Sequence, residues 1–238
     1  SFLATETDFK SDFSAVREIK KMAIVVFSSN SSLCGAFNSN VIKEMNIEVQ
    51  NALKNGIEVT LYPRGKKVKE AAQKLTQVEK VDIDQELADH PSFEGSCSIT
   101  NELMAKFLNK EYDKVLLIYH HLKNTAVQKL TKETFLPIDL ETKKGSAENI
   151  SGDFIVEPNK AEVLEALLPK ALRTKVYACL LDSNASEHGA RVVAMQVATD
   201  NADQLISELT VLYNKTRQQA ITSELLDIVA GKAAQQSN

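Results

Sequence analysis

Between Ala190 and Ala230 lie 41 residues without a glycine or a proline. As one helix they would extend about 60 Å at ~1.5 Å per residue. Met195, Ala198, Ala202, Leu205, Leu209, Leu212 and Thr216 step through this stretch by 3, 4, 3, 4, 3 and 4. That spacing is a coiled-coil seam, not the stripe of a compact-domain helix. The next positions in register, Gln219 and Ser223, are polar, and the apolar stripe resumes at Ile221, Leu225 and Ile228. Arg217-Gln218-Gln219 lies in the break. A seam left in water costs ~25 cal/mol per Å² of apolar surface. No second helix of comparable length is legible in the chain, so the partner is expected in another polypeptide or removed from this one.

The preceding residues follow a different rhythm. Lys20-Lys21 leads into MAIVVF, a continuous apolar run of strand length. A small-residue loop follows, then a helix to about Lys54 for which Asn38, Ser39 and Asn40 are cap candidates. Asn55-Gly56 ends that helix. Ile57 to Tyr62 is the next strand, and Pro63-Arg64-Gly65 turns into the helix KKVKEAAQKL. Val78 to Ile83 is a third strand, Ser98 to Leu108 a helix capped from Ser98 to Thr100, and KVLLIYHHL from Lys114 a fourth strand. This alternation predicts an α/β fold: a layered, Rossmann-like, mostly parallel sheet with helices on both faces, plus the long C-terminal coiled-coil helix.

Val127 to Leu130 and Thr134 to Leu140 read as a hairpin or edge pair. Glu141 to Gly152 reads as a polar loop, and Phe154 to Val156 as a short strand. Glu157-Pro158-Asn159 opens a helix that Pro169 is expected to kink or interrupt. The expected division is a lead-in over 1–19, an α/β domain over 20–157 and a helical region over 158–238.

Charge and composition exclude several classes. With 28 Lys+Arg against 32 Asp+Glu, the chain lacks a basic nucleic-acid footprint. No window approaches 18 unbroken apolar residues, so no membrane span is expected, and the opening residues do not have the charged-then-apolar pattern expected of a signal peptide. Cys34, Cys97 and Cys179 are few, distant and odd in number, which fits a reducing compartment better than a disulfide framework.

Candidate chemistry is sparse. The loop FSSNSSLCGAFNSNV, Phe27 to Val41, sits where α/β proteins hold phosphates. It has Gly35 but no further glycines in phosphate-loop spacing and no Lys-Ser/Thr pair. Cys34 has no basic neighbour in sequence, so a tight turn with a helix cap is the preferred reading, and a nucleotide site over 28–39 the alternative. His120 and His121 are adjacent in a strand, so they face opposite ways and cannot share a metal. His90 and His188 are isolated. Asp82, Asp84, Glu86 and Asp89 read as a solvent-facing loop. No catalytic residue, cofactor or metal site is expected.

The stretch Ser186 to Gly231 resembles the C-terminal helix of the gamma subunit of F-type ATP synthases. Phe27 to Val41 resembles the strand-loop-helix signature of that family, S-D-x-x-L-C-G-x-x-N-x-N, here carried by Leu33, Cys34, Gly35, Asn38 and Asn40, with Asn30 in place of the Asp. The family begins with a long helix antiparallel to the C-terminal one. Here Ser1 to Lys20 enters the first strand almost directly, so a chain lacking that helix is expected.

The resemblance implies a non-catalytic rotor subunit that couples rotation of a membrane ring to conformational cycling of catalytic subunits. It implies alpha and beta subunits, an epsilon subunit and the c-ring as partners. It places the chain peripherally, on the cytoplasmic face of a bacterial inner membrane or the matrix side of an organelle membrane. Arg217, Gln218 and Thr222 match positions that touch a catalytic subunit; Arg191 and Glu224 match further coupling positions. Self-association through the unpaired seam is a further expectation. A nucleotide-binding α/β enzyme and a generic coiled-coil adaptor remain the competing readings.

Overall fold

The computed structural model describes residues 12–82, 86–138 and 160–236. Packing divides the chain into two units, residues 1–193 and 194–238. In the first unit a sheet is built from β1 (Lys21–Phe27), β2 (Glu58–Arg64), β3 (Glu79–Lys80), β4 (Lys114–Asn124) and β5 (Val127–Leu136). The helices are α1 (Phe37–Lys54), α2 (Lys66–Gln73), α3 (Glu86–Asp89), α4 (Phe93–Leu108) and α5 (Lys160–Gln236), and α5 continues into the second unit. The strand order is β3-β2-β1-β4-β5, parallel except for the antiparallel β4–β5 pair.

Strand β1 lies at the centre of this sheet and is buried from Met22 to Phe27. Its alternate residues serve two cores. Met22, Ile24 and Val26 join Val41, Met45, Val49 and Ala52 of α1 and Val68 and Ala72 of α2. Ala23, Val25 and Phe27 join Leu103 and Phe107 of α4 and Leu172, Val176 and Leu180 of α5. A strand covered on both faces reads as an unbroken apolar run, which is why AIVVF carries no alternation. Each large side chain so buried contributes ~1.5–3 kcal/mol. The start of α5 therefore shares its core with the sheet.

Several local expectations are corrected. The first residue of α1 is Phe37 with Ala36 at the cap and no side-chain cap bond; the Asn38 side chain is engaged elsewhere. Pro63 and Arg64 belong to β2, and only Gly65, at φ 100°, turns the chain. The Arg64 carbonyl accepts from Ser28 N on the β1 side, so the backbone of Pro63 faces the β3 side, two residues past Leu61, where the β2–β3 pairing among the described residues ends. Helix α4 starts five residues earlier than expected, at Phe93, because Ser92 accepts from Gly95 N at 3.2 Å. The short α3 was not foreseen. The two expected edge stretches are one strand, β5, paired along β4. Helix α5 passes through Pro169. Proline removes one backbone donor, and Leu168 and Leu172, both buried, hold the segment on either side. The expected loop 141–152 and strand 154–156 lie outside the described residues.

Candidate functional site

The β1–α1 loop does the work of a cap. Three amides open α2, and each is satisfied by the loop. Lys66 N donates to Asn30 Oδ1 at 2.8 Å, Lys67 N to Ser29 O at 3.2 Å and Val68 N to Ser28 Oγ at 3.1 Å. These are the donors that a phosphate would need. Neither α1 nor α2 carries an acidic residue in its first turn, and at that end of α2 these loop oxygens accept from the amides. Asn30 also ties this loop to α3. Its Nδ2 donates to Asp89 Oδ2 at 2.8 Å, a bond that a second carboxylate could not make.

Asn38 is the hub of the same loop. Its Oδ1 accepts from Ser29 N at 3.1 Å, and its Nδ2 reaches Ser29 Oγ at 2.8 Å, Ser31 O at 3.2 Å and Cys34 Sγ at 3.1 Å. Cys34 is buried by this wrapping, and Gly35 takes φ 57°. Leu33, at φ 67°, is pushed outward and is 76% exposed. A non-glycine residue in this left-handed region is uncommon and costs on the order of 1–3 kcal/mol. Asn40 is exposed on the first turn of α1.

The sheet order reverses between β1 and β4, the place where doubly wound folds take ligands. Here that place is filled. Phe37 stacks on the buried His120, and Ser186 Oγ donates to His120 O at 3.2 Å. Ser183, Asn184 and Glu187 of α5 close over Phe27, Ser28 and Arg64, leaving a cavity of about 10 Å³, about one water. A wider cleft, about 740 Å³, lies at the opposite, amino-terminal ends of the strands, lined by Lys21, Glu58, Glu79, Lys106 and Glu111 among others. Its lysines are already engaged in part: Lys21 pairs with Glu58 at 2.8 Å and Lys106 with Glu102 at 2.8 Å.

The remaining candidates fall as follows. His121, exposed, pairs with Asp182 at 2.6 Å, on the other side of β4 from His120. Asp82 pairs with Lys69 at 2.5 Å, and Asp84 lies outside the described residues. Among the described residues no group of His, Cys, Asp and Glu is placed to hold a metal ion. The three cysteines are free, and burial pushes the Cys179 thiol up to about 11.

Arg191 is held within its own unit. Its Nη2 donates to Ser31 Oγ at 2.5 Å and to Glu187 Oε1 at 2.7 Å. The sequence reading missed Ser31, Glu187, Asn184 and Asp89 as partners. Only Glu187–Arg191, an i,i+4 pair on one helix, left a signal that could have been found.

The second unit is a single helical stretch. Met195, Leu205, Leu209 and Leu212 are each more than half exposed, and Ala198 and Ala202 are exposed too. Arg217, Gln218, Thr222 and Glu224 are exposed, and the Thr222 hydroxyl donates to Gln218 O at 2.8 Å. Among the described residues no helix is long and apolar enough to cross a membrane.

The described residues thus hold an α/β sheet whose switch point is filled by side chains and, in the second unit, a helix with an exposed apolar seam. Comparison with known proteins gives the family. The sequence model of a family described as ATP synthase matches residues 2–234. The ATP synthase gamma chain of Phocaeicola vulgatus is 50% identical over 236 residues, spanning 98% of this chain and 81% of that one. The ATP synthase gamma chain of Bacteroides fragilis is 48% identical over 237 residues, with the same 98% and 81%. A chain in the structure of the Euglena gracilis mitochondrial ATP synthase (OSCP/F1/c-ring, rotational state 3) superposes with TM-score 0.63 at 23% identity, covering 94% of this chain and 78% of that one. The Tetrahymena thermophila mitochondrial ATP synthase central stalk/c-ring structure gives 0.57 at 21%, covering 83% and 84%. At those identities the structures bear on the fold. The chain belongs to the ATP synthase gamma-chain family.

Proposed function

We propose that this protein is the central-stalk, rotor subunit of an F-type ATP synthase. It performs no bond chemistry and couples rotation of a membrane ring to the conformational cycle of catalytic subunits. The observation that carries the reading is the seam from Met195 to Leu212, exposed and followed along the same helix by the exposed polar set Arg217, Gln218, Thr222 and Glu224. Apolar positions at 3-4 spacing bind another helix, whereas an arginine fork and an amide make directional bonds that exist at one angle and break at another. A shaft with different contact energies toward each catalytic state shifts their populations as it turns. The alpha and beta subunits, epsilon and the c-ring are the partners under this reading, with the α/β unit at the foot on the cytoplasmic or matrix side.

The closed switch point and the capped α2 amides weigh against the nucleotide-enzyme alternative. The test is assembly. The full chain, added to catalytic subunits prepared without it, is expected to co-purify with them and to raise ATP turnover. Failure to associate, or millimolar-or-tighter binding of ATP, ADP or NAD by the isolated chain, would overturn the reading.

A further inference from the structure

The α5 segment from Ser183 to Arg191 is built for close approach. Ser183, Ser186 and Gly189, at three-residue spacing, are all buried. A methyl group added at Gly189 would lie 3.2 Å from Thr125 O in the β4–β5 turn. Asn184 Nδ2 donates to Ala88 O at 2.9 Å, and Ser186 Oγ reaches His120 O. Within this segment Glu187 is a buried carboxylate, its side chain only 6% exposed. A buried charge requires a partner, and Arg191 one turn later provides it. The same Nη2 also bonds Ser31, 160 positions away in sequence, in the β1–α1 loop.

We propose that Arg191 is a positioning residue that latches the β1–α1 loop to helix α5, so that loop and helix move as one body when the shaft turns. The inference rests on the rotor reading and adds to it the internal route by which this loop follows the helix. The arrangement needs a guanidinium. One planar nitrogen presents two N–H groups in fixed directions, one toward Glu187 and one toward Ser31, whereas a lysine ammonium on a flexible stem holds no such geometry. Asn38, gripping Ser29 and Ser31 O, carries the latch into the loop's core, and Asn30–Asp89 ties the same loop to α3.

The test uses a nitroxide on Ser32→Cys in a Cys97→Ser background, read in the isolated full chain and in the assembled complex. Arg191→Ala and Ser31→Ala are each expected to raise label mobility, and Arg191→Lys to restore it only in part. In the complex, Arg191→Ala is expected to lower the ratio of ATP synthesis to ATP hydrolysis at least threefold. Ser31→Ala, which leaves the Glu187–Arg191 pair intact, serves should Arg191→Ala fail to fold. Unchanged mobility in the folded variants overturns the latch, and an equal loss of synthesis and hydrolysis overturns its role in coupling. Should the wild-type chain not assemble, the rotor reading falls while the mobility result still decides the latch.

Discussion

The Phe37 ring stacks on the His120 imidazole with centroids 4.4 Å apart and planes inclined by 27°. The contact joins the first turn of α1 to the carboxyl end of β4 and plugs the switch point with an aromatic pair. His120 is buried, and desolvation alone lowers it from the ordinary histidine value to about 4.

This gives the first prediction a sign. The unfolded chain protonates His120 near pH 6.5, and the folded chain resists until about pH 4. Between these values the unfolded state binds more protons, so stability falls as pH falls, by ~1.4 kcal/mol per pH unit from this group. Above pH 6.5 the group has no effect. His120→Phe, which keeps a flat ring, is expected to flatten the decline between pH 6.5 and 4 relative to wild type. Denaturant midpoints across that range check it; parallel profiles for the two chains would exclude the assignment.

Gly65 separates two kinds of glycine. It sits at φ 100°, and a methyl group would lie 2.2 Å from Ser28 O. Gly65→Ala therefore forces apart the loop and the start of α2, and should destabilise by more than ~3 kcal/mol. Gly56, at φ 72° with open space around it, should lose about 1 kcal/mol on the same change. Thermal melts of the two variants compare them directly, and equal shifts would contradict the close-approach argument.

The legibility of the fold follows from these contacts. The strand–helix rhythm and the central place of Ala23 to Phe27 were readable because burial on both faces writes itself as a continuous apolar run. The cap of α1 was misread because Asn38 looks like a cap residue but serves the loop behind it. The start of α4 was hidden by Gly95, which resembles a loop residue; a methyl there would lie 2.4 Å from Leu87 Cδ2. The latch was invisible for a different reason. Ser31 and Arg191 are ordinary residues, and only the folded chain brings them together.

Asn30 tests the cap and its neighbour together. Asn30→Asp keeps the acceptor for Lys66 N but places a carboxylate against Asp89, now 2.8 Å from the amide nitrogen. A modest loss, on the order of 1 kcal/mol, is expected because the site is exposed. Adding Asp89→Asn should recover it. A double-mutant cycle reads the coupling, and additive effects would show that the two residues act independently.

Arg217 and Gln218 are expected to matter for coupling and not for folding. Both are exposed, and surface changes usually stay within ~0.5 kcal/mol. The double alanine variant should melt near wild type, yet lower ATP turnover in the assembled motor. Normal turnover would remove the contact argument.

The seam supplies the last prediction. Met195, Leu205, Leu209 and Leu212 expose more than half of their surface. Full burial of such side chains is worth ~1.5–3 kcal/mol each, against a domain stability of ~5–15 kcal/mol. The isolated chain is therefore expected to cover the stripe by pairing with the same helix of a second copy about a two-fold axis. Antiparallel pairing is favoured because it reproduces the direction of the partner helix that the family resemblance implies. Light scattering across a concentration series should show a monomer–dimer equilibrium, abolished by Leu205→Glu with Leu209→Glu. In that variant two charges replace the middle of the seam, and melting of the first unit should be unaffected. A wild-type chain that stays monomeric at high concentration, with residues 194–236 still helical, would show that the stripe does not drive association by itself.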